Sequence, residues 1–209
     1  MHIPDGFIPF WQCAIYYIIL IVGLYFASKW ARENLDEKRI PLLAVLAAGI
    51  FAIMSMNMPI PFGTSGHMVG GALVAIIFCA PEAAILVFTV VLIIQALVFG
   101  DGGITALGAN VLNMAIIGGC TGLYTFKALK GTLGIYASAG IGAWLATVVA
   151  ALACAIEMAI AGTFPLTVGI ASMVTYHMFI GIIEAVLTVI VIMALDKFRP
   201  DLLMWNKNK

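Results

Sequence analysis

The chain has 209 residues, 64% of them hydrophobic and only 10% charged, with a net charge of zero and a mean hydropathy of +1.14. Soluble domains carry about a quarter charged residues, so this composition excludes a soluble fold. The absence of any basic excess equally excludes a nucleic-acid partner.

Spans are taken in chain order, each needing about 20 predominantly apolar residues to cross a bilayer. Seven candidates fall at 8–28, 41–56, 68–80, 83–99, 105–125, 133–161 and 167–195. The first lysine is Lys29, so the start lacks the basic region of a cleavable signal peptide, and Met1-His2 is expected to persist. Pro81-Glu82 separates the third and fourth spans, because proline breaks a helix and glutamate is costly in mid-bilayer. Span 68–80 reaches only about 20 Å at 1.5 Å per residue, short of the roughly 30 Å hydrocarbon core.

The segment before it, Asn57-Met58-Pro59-Ile60-Pro61-Phe62-Gly63-Thr64-Ser65-Gly66-His67, carries two prolines and two glycines and cannot be regular helix. It is expected to dip below the outer surface, where irregular backbone is tolerated only beside protein or a polar cavity. Short, Gly/Pro-interrupted segments of this kind point to a transporter's binding site. Gly100-Asp101-Gly102-Gly103-Ile104-Thr105 is a second such connection. Asn110 and Asn113 follow it three residues apart, on one helix face. Small residues recur at four-residue spacing as Ala44, Ala48 and Ala52, and again from Gly134 through Ser138, Gly142, Ala146 and Ala150 to Cys154. Such ridges let helices pack closely in lipid, within the subunit or against a partner. The four cysteines (Cys13, Cys79, Cys120, Cys154) stand singly in apolar runs and read as small buried residues.

Charge fixes the expected topology. The ten Lys and Arg residues follow spans one, five and seven. With seven spans and an outer N-terminus, all ten become cytoplasmic, as the positive-inside rule requires. The expected fold is an all-α integral membrane protein, one domain over 1–209, with seven transmembrane helices and a cytoplasmic C-terminus.

Polar residues gather at the outer end: Asn57, Thr64, Ser65, His67, Asp101, Thr105, Asn110 and Asn113. Two of the three histidines, His2 and His67, lie there too. A histidine in second position can offer its imidazole Nδ1, its own amide nitrogen and the preceding α-amine to one metal. One imidazole from elsewhere completes four nitrogens in a plane, a set that favours Ni(II) or Cu(II) with Co(II) nearby. Taken alone, His2 reads more simply as an exposed side chain, whereas an ionisable group such as His67 at membrane depth is a functional candidate. His177 and Glu184, seven apart, share a face of the last span and read as an internal polar contact or a subunit contact rather than a relay. Glu157 is expected to reach the headgroups.

Three stretches, Met1-His2-Ile3-Pro4-Asp5-Gly6-Phe7, Pro61 to His67 and Gly100 to Asn110, resemble the CbiM/NikM family in order and over essentially the whole chain. These are the substrate-binding (S) components of energy-coupling-factor nickel and cobalt transporters of bacterial and archaeal cytoplasmic membranes. The resemblance implies an inserted N-terminal segment 1–7, in which the Met1 amine and the His2 amide and imidazole bind Ni(II) or Co(II) together with His67. The metal is transported substrate, and no organic cofactor is implied. Thr64, Ser65, Asp101, Asn110 and Asn113 are candidates to orient the ligands or close the loop. The implied partners are a transmembrane T component, two cytoplasmic ATP-binding subunits and often a small auxiliary membrane protein. Ala44, Ala48 and Ala52 are similar to the alanine motif through which S components meet the T component.

No G-x-x-x-x-G-K-[ST] phosphate loop is present, so the chain reads as a transporter subunit without its own ATPase, not an enzyme. One rival, an intramembrane hydrolase, lacks H-E-x-x-H and would have to pair Ser65 with His67 two residues away. Another, a channel or an S component for a different small solute, would be indifferent to the α-amine. Nickel and cobalt stay equally open. Because the donors must be deprotonated, binding is expected to weaken in acid below the free imidazole pKa of about 6.5.

Overall fold

A computed structural model describes residues 1–61 and 64–206, with Thr64 and Asn206 described by their backbone only. Seven helices run through the described residues, followed by two single turns of 3-10 helix. They are α1 (Phe10–Asn34), α2 (Arg39–Met54), α3 (Gly71–Phe78), α4 (Pro81–Phe99), α5 (Leu107–Leu133), α6 (Ile135–Ile160) and α7 (Leu166–Phe198). Five of these, α1 and α4 to α7, are long and apolar enough to cross a membrane. Helix α2 has 16 residues.

The interrupted third span is the shortest. Helix α3 keeps only eight residues, about 12 Å at 1.5 Å per residue. Gly70 before it and Cys79 after it both adopt left-handed backbone, with φ of 88° and 54°. Pro81 opens α4 at its first turn, where its missing N–H costs nothing. The irregular stretch ahead of α3 is a small antiparallel hairpin, β1 (Met58–Ile60) on β2 (Thr64–Gly66), with Pro59 facing Ser65. Phe62 and Gly63 of the Pro61–His67 motif lie outside the described residues.

Two helices run further than hydropathy alone suggests. Helix α1 continues to Asn34 and carries Lys29 and Arg32. Helix α5 continues to Leu133 and carries Lys127 and Lys130, so that a single residue, Gly134, joins it to α6. Lysine and arginine are good helix formers, and their long stems reach water from a helix end.

The ladder on α6 faces inward. Ser138, Gly142, Ala146, Ala150 and Cys154 are all buried. A Cβ on Gly142 would sit 2.7 Å from the Gly122 carbonyl of α5, so this ridge serves packing within the chain. The α2 ridge does the opposite, with Ala44, Ala48 and Ala52 exposed.

The bundle has two unlike ends. One gathers the N-terminal segment, the hairpin and the α4–α5 connection. The other holds the α1–α2 turn and the C-terminal turns, where Trp30 packs on Phe78 and Trp205 on Phe126 with ring centres 6.0 and 5.3 Å apart. The described Lys and Arg residues lie in the last two turns of α1 and α5, in the last turn of α7, at the first residue of α2 and in the connections at this second end. Lys207 and Lys209 lie outside the described residues.

Candidate metal centre

The first seven residues are threaded into the bundle rather than left in solvent. Met1 and Ile3 are fully buried and His2 is 2% exposed. Ile3 is the pin. Its N–H donates to Asn110 Oδ1 at 2.8 Å, and its carbonyl accepts from Asn110 Nδ2 at 3.1 Å and from the Gly103 N–H at 2.9 Å. Further along, Asp5 Oδ1 accepts from the Thr105 N–H at 2.7 Å and from its hydroxyl at 2.5 Å. The Thr163 hydroxyl donates to the Phe7 carbonyl. Position 103 has to be glycine, because a Cβ there would lie 2.4 Å from the Asp5 amide nitrogen.

This threading drives the α-amine against β2, where it donates to the Ser65 carbonyl and approaches the Ser65 hydroxyl at 3.3 Å. The Cys154 thiol lies 3.7 Å from the Met1 carbonyl. The His2 ring meets the His67 ring, with centres 4.4 Å apart and planes tilted by 31°.

The two imidazoles keep one nitrogen each in reserve. His67 Nδ1 lies 2.9 Å from the Met68 carbonyl. A carbonyl only accepts, so Nδ1 carries the proton and Nε2 carries the lone pair. That Nε2 is buried without a hydrogen-bond partner. His2 Nε2 lies 3.2 Å from Gln95 Oε1. His2 Nδ1 is 3.2 Å from Asp101 Oδ1, close enough for an electrostatic contact but not aligned as a hydrogen bond. Asp101 is itself tied by Asn57 Nδ2 at 3.0 Å. A pocket of about 290 Å³ reaches the surface past His2, Asn57, Ser65 and Asp101.

Burial also sets the charge of these groups. It lowers the Met1 amine from 8.0 to about 5. Burial, then the neighbouring amine and His2, hold His67 well below the ordinary imidazole value. His2 is lowered too, by burial against the opposing pull of Asp101. Burial pushes Asp101 up, but contacts with His2 and Asn57 outweigh it and keep the carboxyl ionised. At neutral pH the site therefore offers three uncharged nitrogen bases beside one carboxylate. Among the described residues no group of three or more His, Cys, Asp and Glu side chains is placed to hold a metal.

Of the residues singled out from the sequence, Met1, His2, His67, Ser65, Asp101 and Asn110 converge here. The Thr64 side chain lies outside the described residues. Asn113 turns away and donates to Glu157 Oε2 at 2.6 Å, while the Glu157 carbonyl accepts from Gln12 Nε2 at 2.9 Å. Glu157 is thus 5% exposed and does not reach outward. The reason lies in the backbone, since Asn113 sits in a π-helical turn, Leu112–Ile117, whose wider i→i+5 spacing breaks the register with Asn110. Glu184 Oε2 and Oε1 accept the Val69 and Gly70 N–H groups, each at 2.8 Å, which caps α3. His177 Nδ1 bonds the Met173 carbonyl at 2.7 Å. Gln95 and Asp5 were not singled out as site residues; the signal for Gln95 was a lone amide in an otherwise apolar span.

The fold and site are those of a polytopic helical bundle with buried nitrogen donors at one end, and the family match makes it a membrane transport component, not an enzyme. A family model described as the cobalt uptake substrate-specific transmembrane region matches residues 2–202, and the chain belongs to this CbiM family. It is the substrate-specific membrane component of a cobalt/nickel uptake system. A Methanocaldococcus jannaschii protein named for metal transport is 40% identical, over 97% of this chain and 94% of its own. An Archaeoglobus fulgidus protein named as a fused nickel transport protein is also 40% identical, over 97% of this chain and 68% of its own. The crystal structure of a truncated transition metal transporter superposes with a TM-score of 0.88 at 37% identity, covering 94% of this chain and 99% of the other.

Proposed function

We propose that the chain captures Ni(II) or Co(II) from outside the cell through the Met1 amine, the His2 amide and imidazole Nδ1, and His67 Nε2. One observation carries this reading. His2 Nδ1 and His67 Nε2 are buried without hydrogen-bond partners, beside an amine that burial keeps neutral. Leaving such atoms unsatisfied costs about 1–3 kcal/mol each, and a metal bound between them removes that cost. The ring spacing fits as well. Two imidazoles bound at about 2.0 Å and at right angles would place their ring centres roughly 4.4 Å apart, the separation found between His2 and His67.

Ser65, Asp101 and Asn110 position the ligands, and the Asn57–Asp101 bond lies at the mouth of the pocket above them. The positive-inside rule places the N-terminus outside and the basic end of the bundle in the cytoplasm. There, separate ATP-binding subunits would act through a T component docked on the exposed Ala44, Ala48 and Ala52, with a small auxiliary membrane protein as a further partner. Metal titration of the purified chain beside His67→Leu tests the ligand set. The expected loss exceeds the 10–100-fold typical of removing an outer partner of a ligand. Equal affinity in the two proteins would remove His67 from the site.

A further inference from the structure

Gln95 is 1% exposed near the end of α4. The only other polar side chain between Ala83 and Phe99 is Thr89, which bonds back to its own helix at the Ile85 carbonyl, 2.7 Å away. Gln95 has no such local partner for its side chain. It opens a π-helical turn, Gln95–Phe99, and touches His2 by two routes. Its Oε1 lies 3.2 Å from His2 Nε2. Its main-chain carbonyl accepts the Asp101 N–H at 3.0 Å, and Asp101 Oδ1 in turn stands 3.2 Å from His2 Nδ1. Both ring nitrogens are thus addressed from one residue.

A neutral imidazole carries a single proton, on one nitrogen or the other. Chelation through the His2 amide and Nδ1 requires that proton on Nε2. We propose that Gln95 is the positioning residue that selects this tautomer: its amide oxygen accepts the Nε2 proton and leaves the Nδ1 lone pair for the metal. The inference rests on the ligand set proposed above. The opposite amide orientation would place the proton on Nδ1, facing Asp101. That contact lacks hydrogen-bond alignment, which favours the first arrangement. The cost of burying an amide in an apolar helix is then offset by a function, as is usual for polar groups at membrane depth.

The test compares Gln95→Glu, Gln95→Leu and Gln95→Met, each with the native N-terminus, titrated with Ni(II) alone while the visible spectrum of the bound metal is recorded. A glutamate carboxylate accepts the same proton, so Gln95→Glu should keep near-native affinity and the native spectrum. Leucine and methionine suit an apolar helix but cannot accept the proton. Both should lose about 10–100-fold in affinity, the range for an outer partner of a metal ligand, and shift the spectrum. A purely structural role predicts the reverse order, with leucine tolerated and glutamate damaging. Native affinity and spectrum in Gln95→Leu or Gln95→Met would overturn the proposal even if Gln95→Glu fails to fold. If the unaltered protein binds no Ni(II), the ligand set fails and the role of Gln95 falls with it, whereas native binding by the leucine and methionine variants removes Gln95 alone.

Discussion

At the site, protonation is decided by burial before any metal arrives. The Met1 amine falls from 8.0 to about 5, and both histidines fall below their ordinary value. A base whose folded pKa is depressed destabilises the fold where only the unfolded chain binds the proton. The metal-free protein should therefore gain stability as pH rises from 5 to 8. The same shifts move the acid limit of metal binding below the free imidazole value expected from the sequence. They also fix a proton count. Near pH 7 the amine and imidazoles are already neutral, so under the proposed ligand set only the His2 amide would release a proton on binding Ni(II). Calorimetry in buffers of different ionisation enthalpy should report about one proton per metal. Two or more would mean that the amine is still charged in the empty site, as an exposed one would be.

Among the elements, those with local causes were legible in advance. Prolines and glycines between Asn57 and His67 foretold a broken approach to the third span, and Pro81 foretold its end. Seven apolar segments foretold seven helices to within a few residues at most ends. What stayed hidden depended on partners distant in sequence or on altered backbone. Glu184 pairs with main-chain N–H groups 115 and 114 residues away, which no side-chain pattern announces. The π-turns at Gln95 and Leu112 re-aim Gln95 and Asn113 in ways that a 3.6-residue period cannot foresee. The Glu184 cap makes its own prediction, because α3 starts four residues after His67. Glu184→Leu strands the buried Val69 N–H, at about 1–3 kcal/mol, and the part-buried Gly70 N–H. It should lower the thermal midpoint in detergent and weaken Ni(II) binding together. An unchanged midpoint would show that the cap contributes nothing.

For the whole molecule, the division between a basic end and the end that gathers Met1, His2 and His67 organises everything else. Seven helices carry the chain from an N-terminus buried beside His67 to the basic end where the described Lys and Arg residues gather. Between the two ends, α2 leaves Ala44, Ala48 and Ala52 exposed. Beside them a groove is formed with Phe51, Val90, Ile94 and Phe99. Small residues on an exposed ridge admit a close helix neighbour, so Ala48→Trp should abolish co-purification with the T component and leave Ni(II) affinity intact. Undiminished assembly would place the contact elsewhere.

The central claim is that the chain's own first residue is a metal ligand. Its most direct test is Ni(II) titration of protein starting at the authentic Met1 beside protein extended by one residue at that end. Extension converts the amine into an amide and pushes it into a space where Met1 is already fully buried. Tight binding by the first protein and near-complete loss in the second is the predicted result; equal binding by both would contradict it.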